Sequence, residues 1–155
     1  MNKNYINIYN NLVKLTRNKE LYKDFKLQDT FSDRLIFFLL HFAFFLKVYK
    51  ENNDKEVLQE IYDFIFRQVE LSIREIGYGD QSINKKMKDY LNLFYGMIDK
   101  MHDWENLTIE SRSMLLKNFL DNAANVEYLV QYFEKYRINL INNTLNSHIK
   151  GVINI

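Results

Sequence analysis

Proline and cysteine are both absent from this chain, and only four glycines occur in its 155 residues. Average usage, about 5%, would place roughly eight prolines in a chain of this length. A sequence so poor in breakers favours long helices over many short strands joined by turns. The lack of cysteine excludes disulfides, thiolate catalysis and cysteine-based zinc or iron–sulfur sites. A charge of one sign is missing too: 21 Lys and Arg balance 20 Asp and Glu for a net +1. A dedicated nucleic-acid binder needs a strong basic excess, so none is expected here. The first residues show no uninterrupted apolar core behind a lysine, and so no signal-peptide layout. Together with an Asn-, Lys-, Ile-, Tyr- and Phe-rich composition of the kind AT-rich genomes give, this reads as a bacterial, cytoplasmic protein.

What is present is core-forming. Apolar residues make up 47% of the chain and aromatic residues 15%, and the length suits one domain over residues 1–155. Tyr5, Ile8, Tyr9, Leu12 and Leu15 recur at helical spacing, and a short segment at 20–25 follows. Asp29-Thr30 offers an N-cap to a helix over 31–50, with Asp33 in its first turn. That helix holds the most apolar run, from Leu35 to Leu46, interrupted only by His41. Twelve helical residues span about 18 Å, too short for a bilayer core of about 30 Å. The run therefore predicts a central helix buried on nearly every side, with transient membrane-surface association as the other reading.

Between 54 and 76, Leu58, Ile61, Ile65, Val69, Ile73 and Ile76 form an inward stripe, while Asp63, Arg67, Glu70 and Arg74 alternate in sign on another face. Gly77 is placed as a left-handed C-cap. Ser82 or Asp80 can cap the next helix, which runs to about 102 with Met87, Tyr90, Leu91, Phe94, Ile98 and Met101 inward. Further helices are predicted over 109–120 and 126–140. Residues 142–155 are Asn-rich and weakly patterned, and read as a frayed tail. The expectation is an all-α, compact bundle of about five to seven helices.

Chemistry is harder to find. His41, His102 and His148 lie far apart, and Asp99 with His102 makes a two-ligand pair too poor for a metal site. No phosphate loop, dinucleotide fingerprint or nucleophile elbow occurs. No catalytic residue, metal or cofactor is expected. A lone histidine in an apolar helix reads first as a core group bonded to a backbone carbonyl or a nearby acid. A second reading joins His41 to Arg34, seven residues earlier, in a polar notch. The Gly77–Gly79 connection reads as helix termination. Its alternative is an exposed interaction loop beside the basic Lys85, Lys86 and Lys88.

Several strings resemble successive motifs of the ubiquinol–cytochrome c chaperone family, in its order and spacing. They are Asp29-Thr30, Arg34, Leu40-His41, Ile73-Arg74-Glu75-Ile76-Gly77-Tyr78-Gly79-Asp80, Ile83 with Lys85-Lys86-Met87-Lys88, and Phe94-Tyr95-Gly96. The resemblance covers about 28–132, and the block from Arg74 to Lys88 is its most specific part. Met97 and Lys117 stand where the family commonly has arginine. The resemblance implies a non-enzymatic, all-helical assembly factor with cytochrome b or another cytochrome bc1 subunit as client. It also implies contact with the ribosome near the tunnel exit and action alone or as a homodimer; the membrane-surface reading of the apolar run would place the protein at the inner face of the membrane. The candidate partner-binding residues are Arg34, His41, Arg74, Glu75, Tyr78, Asp80, Lys85, Lys86, Lys88 and Tyr95. A client-holding surface needs an apolar groove with a polar rim, and some of Phe37, Phe38, Phe42, Phe44 and Phe45 are expected to line it. The competing readings are a general helical interaction module or peripheral membrane adaptor, and an enzyme with a pocket around Arg34 and His41.

Overall fold

A computed structural model describes residues 4–23, 31–77, 79–120 and 126–153. Among these residues the regular structure is helical throughout, with seven α-helices and two 3-10 turns. They are α1 (Ile6–Thr16), α2 (Phe31–Tyr49), α3 (Lys55–Glu75), α4 (Asp80–Met101), α5 (Ile109–Phe119), α6 (Val126–Ile141) and α7 (Leu145–Lys150). The 3-10 turns lie at Lys19–Tyr22 and Trp104–Asn106. The all-α bundle expected from the missing prolines and the three- and four-residue periodicity is what forms. No helix among the described residues is long and apolar enough to cross a membrane.

α2 is the axis of the bundle. Leu35 and every residue from Phe37 to Phe45 are buried, because the helix has no polar face and neighbours close around it. α1, α4 and α6 all pack against it. Phe38 meets Tyr9 of α1 at 5.7 Å between ring centroids. Phe42 stacks on Phe94 of α4 at 5.4 Å, and Phe44 stacks on Phe133 of α6 at 5.3 Å. Each buried phenylalanine contributes about 1.5–3 kcal/mol relative to an exposed one, so this aromatic seam is the main source of cohesion. The N-cap expected from Asp29-Thr30 lies outside the described residues.

Local signals set the helix ends. Asp54 caps α3 by accepting the Glu56 N–H at 2.9 Å, and Thr108 caps α5 by accepting the Ser111 N–H at 3.1 Å. Gly77 follows α3 with φ +97°, and its N–H donates to the Arg74 carbonyl, as its reading as a left-handed cap required. Three details differ from expectation. α4 begins at Asp80 with Gly79 in the N-cap position and no side-chain cap bond. Ser82 instead lies exposed inside the first turn, because the extended backbone at Gly79 already starts the helix. The inward face of α4 is Ile83, Met87, Tyr90, Phe94, Met97 and Met101, and Ile98 is exposed. Adjacent residues sit 100° apart on a helix, so burying Met97 turns Ile98 out. At the end of α3 the inward stripe likewise stops at Ile73, and Ile76 stays half exposed.

The described stretch 142–153 departs most from the frayed tail expected over 142–155. Residues 145–150 fold as α7, capped by Thr144 accepting the Ser147 N–H at 3.1 Å. The helix closes on Gly151 at φ +75°, with Gly151 N–H donating to the His148 carbonyl and Val152 N–H to the Ser147 carbonyl. This paired closure satisfies two of the orphan carbonyls of the last turn. α7 docks on α1, where the Asn7 amide donates to the Ile149 carbonyl at 3.0 Å.

Candidate functional site

An apolar concave surface, a groove of about 280 Å³, lies where α1, α2 and α3 meet. Val13 of α1, Leu35 and Phe38 of α2 and Val69 of α3 form its floor. These positions face one another because each helix carries a wide apolar stripe and three stripes cannot close completely around a common line. Tyr9 and Ser72 form one wall, joined by a hydroxyl–hydroxyl bond of 3.2 Å. Arg17, Arg34, Glu75 and Ile76 make the lip. Ile76 is 50% exposed, an apolar side chain left in water at the mouth. The arrangement can grip apolar side chains and present charge of both signs to polar atoms around them.

The structure divides the candidate residues. Arg34 and Glu75, forty-one positions apart in the chain, come together on the groove lip. Arg74 is exposed beside them on α3 and pairs with Glu70 at 3.6 Å. That pair lies on the alternating face of α3, as does Gln59 bonded to Asp63 at 2.9 Å. Such exposed pairs contribute at most about 1 kcal/mol. Lys85, Lys88 and Tyr95 lie elsewhere, on one outward face of α4 at spacings of three and seven. Lys86 is half-buried next to that face. Tyr95 is 55% exposed, and its hydroxyl bonds that of Tyr62 on α3 at 2.9 Å. Tyr78 and the side chain of Asp80 lie outside the described residues.

His41 is not a surface residue. It is fully buried, with Nδ1 2.6 Å from the Phe37 carbonyl and Nε2 2.6 Å from the Tyr132 hydroxyl. The ring is thus a core histidine held by a backbone carbonyl, as its first reading had it, with a tyrosine as second partner. Burial pushes its pKa down to about 4. Arg34 shares its azimuth but sits two turns away, about 10 Å along the axis. α6 covers the level of His41 while Arg34 remains exposed, so the notch joining the two does not form. Of Phe37, Phe38, Phe42, Phe44 and Phe45, Phe38 lines the groove and the other four are core.

Sequence reasoning missed Val13, Arg17, Val69 and Ser72 as groove residues. No motif marks them, and only the meeting of three helices makes them neighbours. It also missed a charged cluster at the far end of the bundle. There Glu134 accepts from the Trp104 indole N–H at 2.7 Å and from Arg137. Arg112 lies over the Trp104 ring, 4.8 Å from its centroid. The Arg137 hydrogen bond is the largest influence holding the Glu134 carboxyl below its ordinary range. Glu105 adds bonds to Lys47 and Arg137. This cluster joins α2, α5 and α6 through saturated pairings, which is what a structural clamp requires. Met97, which stands where the resembled family commonly has arginine, is fully buried on α4. In this chain it is core, whereas Lys117 is exposed on α5.

Comparison with known proteins accords with this geometry. The crystal structure of the Cbp3 homolog from Brucella abortus superposes with a TM-score of 0.74 at 25% identity, covering 96% of this chain and 86% of that one. No curated protein sequence matches the chain. The model of the ubiquinol–cytochrome C chaperone family matches residues 23–142, a span that contains most of the bundle and the α2 and α3 sides of the groove. The chain belongs to the ubiquinol–cytochrome c chaperone family.

Proposed function

We propose that the protein holds cytochrome b, or another subunit of the cytochrome bc1 complex, during assembly, and that the α1–α2–α3 groove receives apolar side chains of that client. The observation that carries this reading is the open apolar floor of Val13, Leu35, Phe38 and Val69 under a lip of Arg17, Arg34 and Glu75, in a chain of this chaperone family. A transmembrane helix is apolar all round and aggregates in water. The groove has room for a few of its side chains, not for the helix. Each one buried gains about 1.5–3 kcal/mol, while association costs about 4–15 kcal/mol. The grip is therefore reversible, as handing a client onward demands. The protein works by holding, without a turnover step. The outward α4 face of Lys85, Lys88 and Tyr95 is a second contact surface, suited by its charge to the ribosome near the tunnel exit or to an anionic membrane surface. Homodimerisation remains compatible with this arrangement.

Affinity capture from native membranes tests the reading. The tagged protein should recover cytochrome b specifically, and Val13→Asp should lower that recovery at least tenfold while circular dichroism and Tm show the fold retained. A deletion strain should lose assembled bc1 complex and b-type haem absorbance without a change in cytochrome b transcript. Equal capture by wild type and Val13→Asp would remove the groove from the mechanism. Normal bc1 levels in the deletion strain would leave a general helical interaction module as the better description.

A further inference from the structure

α7 carries a group at odds with its surroundings. His148 is buried, and its Nε2 has no hydrogen-bond partner. The ring packs edge-on against two aromatic rings of α2, Phe45 at 5.2 Å and Tyr49 at 5.5 Å. Of the groups facing it, Phe45 is apolar and the Tyr49 hydroxyl already donates to the Leu140 carbonyl at 2.6 Å. On the α1 side the Asn7 amide is committed to Ile149, and the helix's own charged side chain is Lys150, exposed. Burial is the one cause depressing the ring's affinity for a proton, to a pKa of about 4. Among the described residues no carboxylate compensates a charge there.

The rest of the attachment is the buried Leu145, Ile149 packed against the core and the bond from Asn7 to the Ile149 carbonyl. A helix of six residues has no stability of its own. Its connection to α6 is the short stretch Asn142–Thr144. The end of α6 is pinned independently, by Tyr49 on the Leu140 carbonyl and by the Asn143 amide on the Asn139 carbonyl at 2.8 Å. α7 can thus leave without unravelling α6, at the cost of exposing Leu145.

We propose that α7 is a proton-released strap: a neutral His148 ring docks it over Phe45 and Tyr49, and protonation of that ring lifts it from them. A buried imidazolium without an acceptor is far costlier than a neutral ring, whereas the undocked ring meets water and takes a proton near its ordinary value of 6.5. Linkage between these two values weakens docking by about tenfold per pH unit below 6.5, levelling near 4. Lifting the strap bares an aromatic patch on the opposite end of α2 from Arg34. The device is independent of the groove and of the client assigned to it.

Amide exchange of the intact protein, followed residue by residue by NMR and corrected for intrinsic rates, reads the strap directly. Between pH 7 and pH 5 the protection of residues 146–152 should fall about twentyfold, while amides of α2 and α6 keep theirs. His148→Phe, which retains a ring between Phe45 and Tyr49 but takes no proton, should show equal α7 protection at both values. Constant α7 protection in the wild type would overturn the proposal, as would a parallel loss in α2 and α6 or the same loss in His148→Phe. Should the variant fold poorly, the wild-type comparison of α7 with α2 still decides.

Discussion

The Nε2 of His41 and the hydroxyl of Tyr132, ninety-one residues apart, lie 2.6 Å from each other in the core. The other ring nitrogen faces the Phe37 carbonyl, which only accepts, so Nδ1 carries the proton and Nε2 accepts from Tyr132. This one tautomer satisfies both nitrogens and ties α2 to α6 at the level where the aromatic seam is densest.

Tyr132→Phe removes the donor and leaves Nε2 buried without a partner. The expected cost is about 1–3 kcal/mol, read as a lower denaturation midpoint with unchanged slope in urea. An unaltered midpoint would show that the bond between α2 and α6 adds nothing beyond ring packing.

Acid should weaken the fold earlier than its carboxylates alone dictate. His41 takes a proton near pH 4 in the fold and near 6.5 when unfolded. Between those values the unfolded chain binds more protons, so stability falls as pH drops through the window and levels off below it. The contribution at pH 4 is about 3 kcal/mol at most. Glu134 acts at lower pH, since its folded pKa is held below the ordinary carboxylate value. Its stabilisation is lost only as pH falls through that depressed value. Urea midpoints at pH 7, 6 and 5 should therefore already decline. An imidazole titration by NMR that placed His41 at 6 or above would contradict this account.

The two glycines between α3 and α4 should behave differently. Gly77 has φ +97°, where a Cβ costs about 1–2 kcal/mol, although no neighbouring atom crowds the position. Gly79 is extended, at φ −75° and ψ 166°, a conformation any residue adopts. Gly77→Ala should lower Tm by several degrees, whereas Gly79→Ser should match the wild type or exceed it by supplying the missing cap of α4. Equal effects at the two positions would mean that the loop backbone differs from the one described.

What the sequence made legible follows from how local each signal is. The α2 run announced itself, since ten buried residues of eleven need no partner to be recognised as core. The Gly77 cap was legible for the same reason. α7 was hidden because Asn142, Asn143 and Thr144 look like the start of a polar tail, and six residues hold too few apolar positions for a period to show. Ile98 was mistaken for Met97 because either fits an inward step of three or four from Phe94. The groove lip was half legible: Arg34 and Glu75 stood out within motifs, while Val13 and Val69 acquire their meaning only when three helices meet. His41 was singled out correctly as unusual, but its second partner lies on α6, ninety-one residues on, beyond any local reading.

The burial of α2 bears on the order in which the chain becomes structured. Phe42 waits for Phe94, and Phe37 and Phe44 wait for Phe133. At about 5–20 residues per second of synthesis, the ninety-one residues separating His41 from Tyr132 take roughly 5–20 s to make. Throughout that interval the most apolar helix of the protein has no complete shell. Fragments ending before α6 should accordingly collect in aggregates, and folding should finish only after nearly the whole chain has emerged. A member of a chaperone family thus begins its own existence in need of shelter.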